Sequence, residues 1–208
     1  MSDGYGIPDR SALFEPLEVM TSIELPEFKY HRDPVQSGSV ESSDKRCRCC
    51  NEARGYIYAG PFYSGQDLDD AICPWCVADG SAHEKFDATF VDEAALPDDL
   101  PESVVQQIAW RTPGYNVWQS EQWFSCCNDA MTFLEPVGIR EIRERYREIE
   151  FNVLGNILYD LKISGGAAKR VLESLDRKRT PTAYVFQCSH CGAYRSFVDG
   201  MFDVEAQT

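Results

Sequence analysis

The chain reads as an α+β protein: a cysteine-rich first third built around a β-hairpin, then a helical second half that closes on another hairpin. Three observations predict this. Two Cys-x-x-Cys pairs, Cys47/Cys50 and Cys73/Cys76, are separated by 22 residues. Past residue 118, apolar residues recur at three- and four-residue steps, the period of helices. A third pair, Cys188/Cys191, sits between two short aromatic and β-branched runs near the C-terminus.

Residues 1–24 form an N-terminal extension, because Gly4, Gly6, Pro8 and Pro16 break any long element. From Leu25 to His31 the chain is extended, and Asp33-Pro34 ends that stretch. Val35 to Val40 continue as a loop or edge strand. Residues 55–63 carry Tyr56, Ile57, Tyr58, Phe62 and Tyr63 around Gly60-Pro61, which suits a hairpin. Cys73-Pro74-Trp75-Cys76 leads into a short helix toward Phe86 despite Gly80. Together, residues 25–91 make one cysteine-rich region.

Residues 92–102 hold Asp92, Glu93, Asp98, Asp99 and Glu102 with Pro97 and Pro101, an acidic connector expected to be solvated. Region 103–208 is helical and is expected to pack as one unit with 25–91. Trp123, Cys127, Ala130 and Leu134 make one helix face, ending at Pro136-Val137-Gly138. Ile139, Ile142, Tyr146 and Ile149 make the next stripe, opposite a charged face of Glu141, Glu144, Arg145 and Glu148. Val153, Leu154, Ile157, Leu158 and Leu161 make a third, weakened by Gly155. Ser164 caps a fourth helix through Ala168, Val171, Leu172 and Leu175. Strands are expected over residues 183–187 and 194–198.

Composition narrows the function classes. The 208 residues are 43% hydrophobic and 12% aromatic, enough for a real core. Lys plus Arg total 20 against 34 Asp plus Glu, a formal charge of −14. Such a surface repels phosphate backbones and argues against general nucleic-acid binding. It serves solubility, or it steers a basic protein partner. The N-terminus lacks the pattern of a secretory signal, and no run approaches the roughly 20 apolar residues that span a bilayer. The expected compartment is the cytoplasm. There, nine cysteines argue for metal ligands over disulfides.

Two thiolate pairs can close on one tetrahedral zinc with sulfurs about 2.3 Å from it. The order of pair, hairpin, pair and helix is that of a treble-clef finger, so Cys47, Cys50, Cys73 and Cys76 are assigned a structural zinc. Cys49 is an alternative to Cys50, but a two-residue gap fits a knuckle better. A rival reading makes Cys73/Cys76 a redox pair at a helix N-terminus. The knuckle Cys188-Ser-His-Cys191-Gly192 supplies two ligands of a second zinc, completed by one or both of Cys126 and Cys127. His190 lies inside that knuckle as a substitute ligand or a neighbouring histidine. Asp79, His83 and Asp87, at four-residue steps, are the one set resembling an acid/base constellation, with solvated charge as the plainer account. Arg140, Arg143, Arg147, Lys169, Arg170, Arg177, Lys178 and Arg179 are the residues a nucleic-acid face would need, and neighbouring carboxylates largely cancel them.

Several motifs together resemble the CbrC family of bacterial proteins. They are Leu25-Pro26-x-Phe28-Lys29-Tyr30-His31-x-Asp33-Pro34, Cys47-x-Cys49-Cys50, and Gly55-Tyr56-x-Tyr58-x-Gly60-Pro61-x-Tyr63. Ile72-Cys73-Pro74-Trp75-Cys76-x-Ala78-Asp79-Gly80-Ser81-Ala82 and Arg111-Thr112-Pro113-Gly114-Tyr115 belong to the same pattern. So do Trp118-Gln119-x-Glu121-x-Trp123 and Phe186-x-Cys188-x-His190-Cys191-Gly192. The resemblance spans Leu25 to Val198. Where the family pattern has His-Cys-x-Asp-x-Cys, this chain has Cys126-Cys127-Asn128-Asp129-Ala130-Met131. Met131 is a poor zinc ligand, which favours Cys126 and Cys127 as partners of the C-terminal knuckle. The resemblance implies a link to tolerance of an E-group colicin. The expected function is therefore a non-enzymatic, zinc-stabilised, cytoplasmic protein that binds a basic toxin or nuclease domain. It has no nucleic-acid or membrane role. The alternative is a zinc-containing hydrolytic or thiol-redox enzyme.

Overall fold

The computed structural model describes residues 24–200, so the extension expected over 1–24 lies, except for Glu24, outside the described residues. The described chain mixes short helices with three small antiparallel sheets, an α+β architecture.

Strand β1 (Val40–Ser42) pairs with β2 (Tyr56–Tyr58), Val40 opposite Tyr58. The hairpin expected about Gly60-Pro61 is therefore not formed. Tyr56–Tyr58 folds back onto the earlier strand, with residues 43–55 as the loop between them. Pro61 offers no N–H for a turn ladder. The Tyr58 hydroxyl instead donates to the Pro61 carbonyl, and Tyr63 bridges to Thr89.

Helix α1 (Pro74–Ala78) opens with Pro74 in its first turn, where a missing N–H costs nothing. Helix α2 (Ser81–Phe86) follows. The single helix expected there is split at Gly80, which has φ +83. A side chain at Gly80 would also lie 2.8 Å from the Arg111 guanidinium. In the 92–102 segment the acidic side chains lie at or near the surface, while Leu96 and Leu100 are buried. Helix α3 (Glu102–Arg111) begins directly after Pro101.

The helix expected through Trp123 and Leu134 is overturned. Strands β3 (Ser125–Cys126) and β4 (Asp129–Ala130) form a tight hairpin, and β5 (Thr132–Val137) follows. Cys127 and Asn128 both take positive φ, 56° and 60°, the signature of a two-residue hairpin turn and incompatible with a helix. Helix α4 (Ile139–Arg145), helix α5 (Glu150–Gly155) and a π turn over residues 156–160 carry the next apolar stripes. Helix α6 (Gly165–Ser174), with Ser164 at its N-cap, completes that layer. Strands β6 (Thr182–Gln187) and β7 (Tyr194–Asp199) form where the sequence places them.

The main sheet runs β5-β6-β7 with β6 central. Pro136 is tolerated because β5 is an outer strand of that ladder. Alternation along the strands sends residues to two cores. Leu134, Val137, Ala183, Val185 and Val198 meet the helical layer at Ile142, Ile149, Val153, Ile157 and Leu172. Phe133, Tyr184, Phe186 and Phe197 meet Tyr30, Ile108, Tyr115 and Trp123 on the other face. A third cluster, around Val40, Tyr58, Ile72, Val77 and Phe90, contains Cys47, Cys73 and Cys76. The irregular segment after Arg111 is anchored by close approach: a Cβ on Gly114 would fall 2.2 Å from the Phe90 carbonyl oxygen. No helix among the described residues is long and apolar enough to cross a membrane.

Candidate metal centres

Two knuckles of the same construction aim sulfurs outward from tight turns. In the first, the Asn51 N–H donates to the Cys47 carbonyl at 2.7 Å and Asn51 has φ 62°. In the second, the Gly192 N–H donates to the Cys188 carbonyl at 3.0 Å and Gly192 has φ 76°. Asn and Gly are the residues that enter the left-handed region most cheaply, so each knuckle closes without strain. Lys85 pins the first knuckle to α2 by donating to the carbonyls of Arg48 and Cys49, at 3.0 and 2.8 Å.

The first knuckle faces the start of α1. Cys73 is the N-cap residue and Cys76 lies within the helix, so both sulfurs meet the positive end of the helix dipole. The separations are 3.8 Å for Cys47–Cys76, 3.8 Å for Cys50–Cys73 and 3.6 Å for Cys73–Cys76. Sulfurs about 2.3 Å from a shared tetrahedral ion lie about 3.8 Å from one another. A disulfide would bring them to about 2.05 Å. The donor set and its spacing therefore fit zinc. The second group is built from both sides of the sheet's end: the β3–β4 turn brings Cys126 and Cys127 against Cys188 and Cys191. Cys126 lies 3.7 Å from Cys127 and 3.6 Å from Cys191. In each group all four sulfurs fall within 4.8 Å of one another.

The electrostatics say what such a group requires. Cys47 receives hydrogen bonds from the Cys73 and Cys76 thiols and from the backbone N–H of Cys73, which draw it far below an ordinary thiol. Hydrogen bonding to Cys47 in turn pushes Cys73 up to about 12. The same pattern recurs where the Cys191 backbone N–H lowers Cys188 to about 6 while hydrogen bonding to Cys188 pushes Cys126 up to about 12. Within each group the thiols lower one member at the expense of its neighbours. Four thiolates together need a cation.

The two groups differ in exposure. Cys47, Cys73 and Cys76 are buried and Cys50 is half-buried, whereas Cys127 and Cys191 are exposed. Cys49 belongs to neither group. It is half-buried with its sulfur 3.5 Å from the Ser81 hydroxyl.

Beside the second group lies a brace that the sequence does not announce. Asp129, only 6% exposed, accepts from the Tyr30 hydroxyl at 2.7 Å and pairs with Lys29 at 2.8 Å and His190 at 2.9 Å. Burial raises this carboxyl, but Lys29, Tyr30 and His190 outweigh it and hold it well below the usual range. His190 is thus tied to a carboxylate outside the sulfur group, joining the knuckle to the hairpin. The clue in the sequence is an acid two residues beyond Cys127, but its partners stand 99 and 61 residues away.

The acid/base set is not assembled. Asp79 accepts from the Ser81 N–H at 2.8 Å, His83 stacks on Trp110 at 4.1 Å with Nδ1 on the Ala88 carbonyl, and Asp87 ends α2. Among the described residues no side-chain hydrogen bond or ion pair joins any two of the three; the Asp87 N–H donates to the His83 carbonyl at 2.8 Å, an ordinary helix-end bond of the main chain. Of the basic residues, Arg140 pairs with Glu141, Arg143 with Glu150 and Glu173, and Arg177 with Glu135. Trp123 is core, while Trp118 is half-exposed with its indole N–H on the Thr182 hydroxyl.

Comparison with known proteins places these features in a lineage. Residues 25–200 match the profile described as Uncharacterised protein family (UPF0167). A UPF0167 protein of Mycobacterium bovis is 40% identical over 183 residues, 88% of this chain and 97% of the relative. One from Mycobacterium tuberculosis matches to the same extent. One from Pseudomonas aeruginosa is 38% identical over 170 residues, 81% of this chain and 93% of the relative. No solved structure matches.

Proposed function

The chain belongs to the uncharacterised protein family UPF0167, and from that premise we propose that it is a non-enzymatic protein-binding protein built on two structural zinc ions. The observation that carries the reading is that four sulfurs gather within 4.8 Å of one another in each cysteine group, with neighbouring pairs at 3.6–3.8 Å. A shell of four thiolates leaves no position for water or substrate, so bound zinc supplies folding free energy. Cys47, Cys50, Cys73 and Cys76 hold the first ion in a treble-clef-like arrangement, with a knuckle on one side and a helix start on the other. Cys126, Cys127, Cys188 and Cys191 hold the second, and the Asp129–His190 pair keeps the two loops in register.

The partner is a basic protein met in the cytoplasm. The charge of −14 supports this, since opposite charge raises encounter rates and selects partners. The resemblance to the CbrC family supports a finer reading: the partner is a basic bacteriocin toxin or its nuclease domain, and binding neutralises it.

Metal analysis followed by a binding titration tests both layers. Purified chain carries two zinc ions. It binds a basic bacteriocin nuclease domain with an affinity that falls about tenfold or more between low and physiological salt. A metal content of none or one per chain overturns the structural reading. Absence of binding at low salt, or binding indifferent to salt, overturns the partner.

A further inference from the structure

Loops 61–63 and 115–121 and the turn at residues 92–95 enclose a recess of about 410 Å³. Pro61, Tyr63, Asp92, Ala94, Tyr115 and Glu121 contribute to its walls, and no Lys, Arg or His does. The size is that of a side-chain or small-ligand pocket.

Glu121 is the unusual residue. Its carboxylate accepts from the Asp92 N–H at 2.7 Å, the Tyr63 hydroxyl at 3.2 Å and the Trp123 indole N–H at 3.2 Å. All three donors are neutral. The recessed carboxylates of Asp129, Glu135 and Glu141 each meet a cation: Lys29, Arg145 and Arg140. Among the described residues Asp199 is also without one, but its oxygen takes the N–H groups of Trp118 and Gln119 and so holds the wall of the recess in place. Burial pushes the Glu121 carboxyl above its usual range, and burial together with Glu121 pushes Tyr63 up to about 12. Burial is the largest cause of both shifts, and no cation among the described residues pairs with Glu121 to offset it.

The surroundings have the same bias. Between residues 86 and 139 the sequence has nine carboxylates, at 87, 92, 93, 98, 99, 102, 121, 129 and 135, against one cation, Arg111. Among the described residues, none of Asp92, Glu93, Asp98, Asp99, Glu102 or Glu121 forms an ion pair. The segment that supplies Asp92 and Ala94 to the recess continues through Asp98 and Asp99. It reaches the second cysteine group, where Asp99 accepts from the Ser125 hydroxyl at 2.9 Å.

We propose that this recess and the carboxylates around it are the docking surface for a basic polypeptide segment of the partner, with one lysine or arginine side chain entering beside Glu121. The proposal rests on the protein-binding reading and gives it a location. The incoming cation supplies the charge that the three neutral donors do not. Tyr63, 44% exposed at the mouth, offers an aromatic edge or face to the aliphatic stem. The unpaired carboxylates steer the segment to the recess before contact.

The test uses the zinc-loaded full chain and a fluorescein-labelled hexa-arginine peptide, read by fluorescence anisotropy at about 20 mM salt. Glu121→Gln removes the recessed charge, and Ala94→Arg places a competing cation at the mouth from an exposed position that leaves the fold alone. Each weakens binding about fivefold or more. The Asp98→Asn/Asp99→Asn double variant weakens it several-fold. The Glu41→Gln/Asp44→Asn double variant, with the same change of charge on the exposed β1 side, stays within about twofold. Equal losses in the two double variants, with Ala94→Arg and Glu121→Gln unchanged, overturn this surface and leave the basic-partner reading standing. No binding of the peptide by the unaltered chain overturns both.

Discussion

Burying an imidazole between two partners fixes its protonation state, and His31 is so held. It is fully buried, with Nδ1 2.7 Å from the Pro113 carbonyl and Nε2 2.8 Å from the Ser37 hydroxyl. Burial keeps the ring neutral, and with its one proton on Nδ1 facing the carbonyl, Nε2 is the acceptor. Burial lowers its pKa from 6.5 to about 4. Above pH 6.5 the ring is neutral in folded and unfolded chains, and His31 contributes no pH dependence. Below 6.5 the unfolded chain takes up a proton that the folded chain refuses, so stability falls. The loss grows until the folded ring titrates near pH 4, where it reaches about 3 kcal/mol. His31→Asn is less stable at pH 7 by about 1–3 kcal/mol for the lost hydrogen bonds. Between pH 6.5 and 4.5 its unfolding free energy declines less steeply than the parent's, by about one proton. Denaturant melts at matched pH and matched zinc content measure both slopes, and parallel slopes refute the assignment. Nothing local in the sequence reveals this state, because Pro113 lies 82 residues away. By contrast, Asn51 and Gly192 are legible as turn residues because their conformational freedom is intrinsic.

The element that sequence periodicity misassigns is the one that carries half of the second cysteine group. Trp123, Cys127, Ala130 and Leu134 recur at helical spacing, yet β5 is covered on both faces and its burial carries no period of two. A short apolar run of that kind reads equally well as helix or buried strand. The hairpin turn at Cys127-Asn128 resolves the problem that a helix poses. Adjacent helical residues point about 100° apart, whereas the turn brings both sulfurs to the knuckle. The cost is exposure. Cys127 and Cys191 face solvent, while the first group keeps three of its four sulfurs buried. Zinc should therefore leave in two phases when excess chelator is added, as followed with a colorimetric zinc indicator. Cys191→Ser abolishes the fast phase and leaves the slow one. Cys50→Ser removes the slow phase. A single phase in the unaltered chain, or a fast phase that vanishes with Cys50→Ser, reverses the ranking.

At the scale of the whole molecule, three apolar clusters meet with unequal shares of the cysteine groups. The strands over 182–187 and 194–199, the helical stripes beyond residue 138 and the four-cysteine first group are readable from sequence because each is written in local spacing. What is not readable is that β6 separates two cores, since that depends on pairings between segments distant in the chain, such as Thr132 opposite Gln187 and Ile108 packed with Phe186. The first cysteine group sits inside the cluster of Val40, Tyr58, Ile72 and Val77, so its sulfurs are part of that core. The helical-side core of the sheet has no cysteine among its buried residues. Removing zinc from the first group leaves four thiols whose charges cannot share the site, and β1, β2 and α1 are too short to persist alone. The sheet's helical face keeps its aliphatic contacts, each buried Val, Leu or Ile contributing about 1.5–3 kcal/mol. Metal-free chain should accordingly lose amide protection at Tyr58 and Val77 while retaining it at Val185 and Val198. Hydrogen exchange read by mass spectrometry on holo and chelated samples distinguishes the outcomes. Uniform loss across all four positions would mean that the clusters form one cooperative unit, and the division of labour between metal and sheet would be wrong.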